Sequence, residues 1–138
     1  MKAKVKWVQD VMFLGESGSG HSVVMDGAPD AGGRNVGFRP MEMMLMGLAG
    51  CSAFDVVLIL KRSREDITDC VVDVDGDRAE TDPKVFTRVR MHYIITGRNL
   101  DAKKVERAVK LSEEKYCSAS AMFGKTATLT HTIEIREA

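Results

Sequence analysis

The chain has 138 residues, 44% of them hydrophobic, and its twenty basic and twenty acidic side chains cancel to a formal charge of zero. That length supports one domain, 1–138, with a real core and leaves little room for a second. A balanced charge projects no net field toward nucleic acid or an anionic membrane surface, so neither is expected as a partner. Three cysteines, an odd count, exclude a framework of permanent disulfides, and any bridge is expected to be transient or catalytic.

Residues 2–8 read as a strand, with Lys2, Lys4 and Lys6 on one face and Ala3, Val5 and Trp7 on the other. This opening lacks the basic end and continuous apolar run of a signal peptide, so a cytoplasmic location is expected. Two short strands at 11–14 and 21–25 flank a glycine-serine connection at 15–20. No helix follows those glycines, and their spacing fits neither phosphate-binding pattern. The stretch 26–39 is rich in Gly, Asp and Ala without periodicity and is expected to be a mobile surface loop, a candidate lid.

Pro40 suits the first position of a helix running to about Leu60, with Glu42 in its first turn and Lys61, Arg62 and Arg64 at its carbonyl end. The helix is apolar almost all round and near the length of a membrane span. Glu42 and Asp55 would be costly in hydrocarbon and the flanking segments are amphipathic strands, so the expectation is burial in protein. One chain of this size has too few elements to cover such a helix on every side. A homodimer is therefore expected, its central helices packed together across Gly47 and Gly50.

Residues 69–78 and 84–96 form a hairpin turning at 81–84. Asp73, Asp75 and Asp77 share one face of the first arm, and His92, Arg90 and Arg88 stand opposite them in a single register. The Asp-Val-Asp-Gly-Asp string departs from a calcium loop, so a solvated charge ladder is expected and no metal. Asn99 or Asp101 should cap a helix over about 102–115, buried along Val105, Ala108, Val109 and Ser112. A helical turn at 117–124 and a strand at 126–136, with Leu129, His131, Ile133 and Ile135 inward, complete an α+β order.

The residues able to do chemistry are Cys51, inside the apolar helix, and Cys117, after the second. Redox work needs a thiolate, a substrate route, a group that stabilises the anion and a second thiol within disulfide reach. Met41, Met43, Met44 and Met46 suit an apolar ligand, although core packing explains them as well. Glu42 lies nine residues from Cys51, on the opposite side of the helix, and reads as structural. Asp55, four residues on, shares the face of Cys51. A carboxylate there opposes ionisation of the thiol unless an arginine neutralises it, and Arg34 and Arg39 are the candidates. Cys70 and His131 read as buried structural residues.

The motifs Arg39-Pro40-Met41-Glu42-Met43-Met44-Leu45, Gly50-Cys51-Ser52-Ala53-Phe54-Asp55-Val56-Val57 and Glu114-Lys115-Tyr116-Cys117-Ser118 resemble those of the OsmC/Ohr superfamily of osmotically inducible and organic hydroperoxide resistance proteins. The likeness covers essentially the whole chain and looks nearest to the YhfA-like branch. It implies an OsmC-like fold with antiparallel sheets around a long central apolar helix, in an intertwined homodimer with sites at the subunit interface. It also implies a thiol peroxidase cycle on an organic hydroperoxide, with Cys51 peroxidatic, Cys117 resolving and a dithiol such as a lipoylated protein as reductant. No metal or cofactor is implied. The sequence departs from the peroxidase pattern in having no arginine over 15–25, Met41 directly after Pro40, and Asp55. The alternatives are a non-enzymatic binding module for an acyl or other apolar molecule, or a redox sensor.

Overall fold

The computed structural model describes residues 1–138 as an α+β arrangement of six strands and three α-helices that separates into two compact units, 1–44 and 45–138.

The first unit holds an antiparallel sheet in the order β1 (Ala3–Gln9), β2 (Met12–Ser17), β3 (Ser22–Met25). β2 runs further than the sequence suggests and takes in Gly15, which pairs with Val5 and Val23. A side chain there would press on Met25 and Val23, so the glycine is strand interior, not linker. The 26–39 stretch is organised instead of loose. Asp26 is buried, and its carboxylate accepts from the backbone N–H groups of Gly27, Arg34 and Val36 at 2.8, 2.9 and 3.2 Å. Burial works against its charge, but those three donors and the Arg39 guanidinium outweigh it and hold the carboxyl below the usual range. Gly33 passes so close to Gly27 that any Cβ would overlap its carbonyl.

α1 (Pro40–Arg62) links the two units in sequence. Its start is set by Glu42, whose carboxylate reaches back to the Arg39 N–H at 2.9 Å while the Arg39 carbonyl accepts from Met43. That is the N3 half of a capping box. Leu48, Ser52, Val56 and Leu60, four apart, form a fully buried stripe with Ala49 beside it. Met44, Met46 and Phe54 are exposed, and a Cβ on Gly47 or Gly50 would meet open space. By length and composition the helix could cross a membrane, with a mean hydropathy of 2.1, yet its central stripe is core.

The second unit contains a sheet in the order β4 (Asp66–Arg78), β5 (Phe86–Arg98), β6 (Thr128–Glu137). β4 and β5 are antiparallel, with Asp73 opposite His92, Asp75 opposite Arg90 and Asp77 opposite Arg88, the register read from the sequence. The pairing within that register is more diagonal than rung by rung. Arg90 bonds both Asp75 and Asp77, and His92 turns away to Thr132 and Glu134 on β6. β6 runs parallel to β5, so the sheet is mixed and not wholly antiparallel. The crossover through the helices between them returns the chain to the same end of the sheet. Val89, Met91, Tyr93 and Ile95 alternate inward on β5 and form a core with Leu48, Val56 and Leu60.

α2 (Ala102–Leu111) is capped by Asp101, which accepts from the Lys103 N–H at 2.9 Å, and it stops four residues short of the expected end. From Ser112 to Tyr116 the chain widens into a π turn, closed by the Cys117 N–H on the Ser112 carbonyl at 2.8 Å. This widening makes Cys117 the N-cap of α3 (Ser118–Phe123). π turns of this kind are frequent at functional sites.

Candidate functional site

Cys51 and Asp55 sit one turn apart on α1, and the end of the π turn delivers Cys117 to them. The two sulfurs and a carboxylate oxygen of Asp55 lie within 4.8 Å of one another. Cys117 is 2% exposed, whereas Cys51 is half-buried, so the accessible member of the pair is the one on α1. All three cysteines are free thiols. Cys117 Sγ accepts from the Ser120 N–H at 3.3 Å. Burial pushes the Cys117 thiol up, hydrogen bonding by Ser120 opposes that, and the neighbouring Cys51 adds to the rise. With two thiols and a carboxylate, the trio is also of metal-ligating type.

Asp55 begins a file of buried hydroxyls. Ser112 Oγ lies 3.3 Å from Asp55 Oδ2 and 2.9 Å from Ser52 Oγ, which is 2.5 Å from the Tyr93 hydroxyl. Tyr93 in turn reaches Glu113 Oε1 at 3.4 Å, and the other oxygen of Glu113 meets His131 Nδ1 at 2.6 Å. Burial and the charge of Glu113 push the Tyr93 phenol up against the hydrogen bond from Ser52, so it stays a neutral donor. The file has four links between two carboxylates but only three hydroxyl protons. At any moment one link faces two lone pairs, and the file has room for one further proton. The outer links, at 3.3 and 3.4 Å, are the long ones.

A cavity of about 310 Å³ opens beside Asp55, walled by Leu58, Ile59, Leu111 and Tyr116, with Arg62 on the same lining. Ser63 lines it too, so the walls mix aliphatic side chains with polar groups.

Sequence reasoning placed Asp55 on the face of Cys51, and the structure brings those two and Cys117 together. Glu42 spends its carboxylate on the helix cap. Arg34 pairs with Asp10 at 3.0 Å, and Arg39 donates to the Gly37 carbonyl at 3.1 Å. Cys70 lies on β4 outside the cluster. His131 does face the inner side of its sheet, but it is one-third exposed and bound to Glu113 instead of lost in the core. Ser52, Tyr93, Ser112 and Glu113 were missed. The available signal was the pair of serines in otherwise apolar helix stripes, because a buried hydroxyl requires a partner.

The OsmC-like protein family model matches residues 32–132 of this chain. Protein YhfA of Escherichia coli (strain K12) is 48% identical, with 98% of each chain covered. A protein of known structure from Aquifex aeolicus VF5 is 29% identical, with a TM-score of 0.87 over 99% of this chain and 96% of that one. An organic hydroperoxide resistance protein from Elizabethkingia anophelis shares the fold, with a TM-score of 0.74 at 14% identity over 97% and 94% of the two chains.

Proposed function

This chain belongs to the OsmC-like family, and from that premise we propose that it is a thiol-dependent redox protein that reduces organic hydroperoxides through Cys51 and Cys117. The supporting observation is the approach of the two sulfurs and Asp55 to within 4.8 Å of one another. A disulfide requires the two sulfurs to close from that separation to about 2.05 Å.

The Cys51 sulfur attacks the distal oxygen of the hydroperoxide, the O–O bond breaks, and the alkoxide leaves to become the alcohol on gaining a proton. Cys51 is then a sulfenic acid. Cys117 attacks that sulfur and expels the hydroxyl as water, leaving a disulfide that an external dithiol, such as a lipoylated protein, reduces with two electrons and two protons. We assign to Asp55, whose carboxylate lies within 4.8 Å of the Cys51 sulfur, the role of taking its proton. Once protonated, it supplies the fourth donor that the hydroxyl file lacks, and the proton is held away from the sulfur. The file is how a carboxylate beside a nucleophilic thiol becomes useful and not merely repulsive. The cavity beside Asp55 offers Leu58, Ile59 and Leu111 to the organic part of the substrate.

The working form is proposed to be a cytoplasmic homodimer, supported by the open face of α1 around Met46, Gly47, Gly50 and Phe54. That same exposed apolar surface favours the second reading, a non-enzymatic binder of an acyl or other apolar molecule. Consumption of an alkyl hydroperoxide with dihydrolipoamide decides between them. The redox reading requires turnover by the wild type, its loss in Cys51→Ser, and trapping of a sulfenic acid in Cys117→Ser. Equal, negligible rates in all three remove it.

A further inference from the structure

We propose that the reduced protein binds one Zn²⁺ per chain through Cys51 Sγ, Cys117 Sγ and a carboxylate oxygen of Asp55. This deepens the reading of the proposed redox site, whose two sulfurs and carboxylate are the ligands. The three donor atoms already lie within 4.8 Å of one another. Tetrahedral zinc, with bonds of about 2.3 Å to sulfur and about 2.0–2.2 Å to oxygen, sets its donors roughly 3.5–3.8 Å apart. Binding draws the three donors together by about 1 Å.

The donors come from rigid places. Cys51 and Asp55 are one turn apart on α1, the spacing by which a single helix presents two ligands to one ion. Cys117 comes from the cap of α3, so only the folded chain assembles the set. Each of Asp55 and Cys117 is also oriented from behind. Ser112 Oγ stands 3.3 Å from the Asp55 carboxylate, and the Ser120 N–H donates to the Cys117 sulfur at 3.3 Å.

A second observation is an unpartnered buried hydroxyl beside the cluster. The Ser120 hydroxyl is buried in a residue only 3% exposed and has no hydrogen-bond partner. Its neighbour is Cys117, whose sulfur accepts from the Ser120 N–H at 3.3 Å. A neutral thiol accepts weakly, whereas a metal-bound thiolate accepts well, so ligation satisfies a hydroxyl that the thiol form leaves short. Thiolate ligands select zinc over magnesium and calcium, and three protein ligands leave the fourth position for water. A Cys51–Cys117 disulfide removes both sulfur ligands, so oxidation and metal binding exclude each other.

The test is anaerobic titration of reduced, chelator-stripped protein with Zn²⁺ in competition with a chromophoric chelator, alongside Co²⁺ substitution. The expected results are one ion per chain, proton release on binding, and a thiolate-to-cobalt charge-transfer band. Cys51→Ser and Asp55→Asn should each weaken binding at least tenfold, and Cys70→Ser should leave it unchanged. Sub-stoichiometric uptake, a cobalt spectrum without the thiolate band, or undiminished affinity in Cys51→Ser or Asp55→Asn overturns the proposal.

Discussion

Removing the hydroxyl of Ser52 should cost the fold more than its size suggests. Ser52 is fully buried on the α1 stripe and joins Tyr93 at 2.5 Å to Ser112 at 2.9 Å. Ser52→Ala breaks both links and retains the Cβ, so the packing loss is small. The remaining partners are long: Glu113 at 3.4 Å for Tyr93, and Asp55 and the Ser52 carbonyl at 3.3 Å each for Ser112. With about 1 kcal/mol net for each buried hydrogen bond, and neighbours left short of a partner but not bare, the expected loss is about 2 kcal/mol. For a chain of this length that lowers Tm by about 6 °C. Tyr93→Phe should cost about 1–2 kcal/mol by the same reasoning. Because the two variants break one shared bond, the double variant should be less destabilised than the sum by about 1 kcal/mol. Urea unfolding at fixed protein concentration, with the m-value unchanged, measures each corner of this cycle. Simple additivity, or a Ser52→Ala loss under about 0.5 kcal/mol, would refute the idea that the hydroxyls act as one file.

In the Cys51→Ser variant, alkylation of Cys117 should titrate above an ordinary thiol, because burial disfavours its anion, and return to the ordinary range in urea. Leu60→Ala should destabilise by about 2–5 kcal/mol, read by denaturant midpoint, since Leu60 is fully buried at the end of the α1 stripe. Glu65 accepts from Lys104 Nζ at 2.6 Å and from the Asp101 N–H at 2.8 Å, which together lower its pKa. A carboxyl lowered on folding stabilises above its unfolded pKa and loses that contribution as pH falls through the folded one. Glu65→Gln should therefore flatten the acid limb of Tm against pH, and an unchanged limb would contradict the assignment. Asp26→Ala should speed amide exchange at Gly27, Arg34 and Val36, whose N–H groups its carboxylate holds, while exchange in β5 stays unaffected.

Much of the local structure follows from residue order. The equal index sums of the Asp73–Asp77 and Arg88–His92 arms predict a register that the hairpin adopts, because one face is buried and a slip of one residue would invert it. Pro40, Glu42 and the terminal cations mark α1 for similar local reasons, as Asp101 marks α2. Helical periodicity alone puts Asp55 on the face of Cys51. The length of α2 was not legible, since a π turn differs from an α turn by one hydrogen-bond register and leaves little composition signal. The parallel direction of β6 was likewise hidden, because strand patterning shows which face is buried and not which way the chain runs.

The starts of the helices, the charged hairpin and the residues able to carry sulfur chemistry are legible in residue order, since all of these depend on spacing within a few turns or rungs. Only the tertiary structure decided that Cys117 reaches Cys51 and Asp55, and that Ser52, Tyr93, Ser112 and Glu113 form one file. Those contacts join residues 20 to 66 positions apart in sequence. The side chains that meet there come from α1, β5 and the π turn, and nothing in any one segment's periodicity records which neighbours a packed core will bring to it.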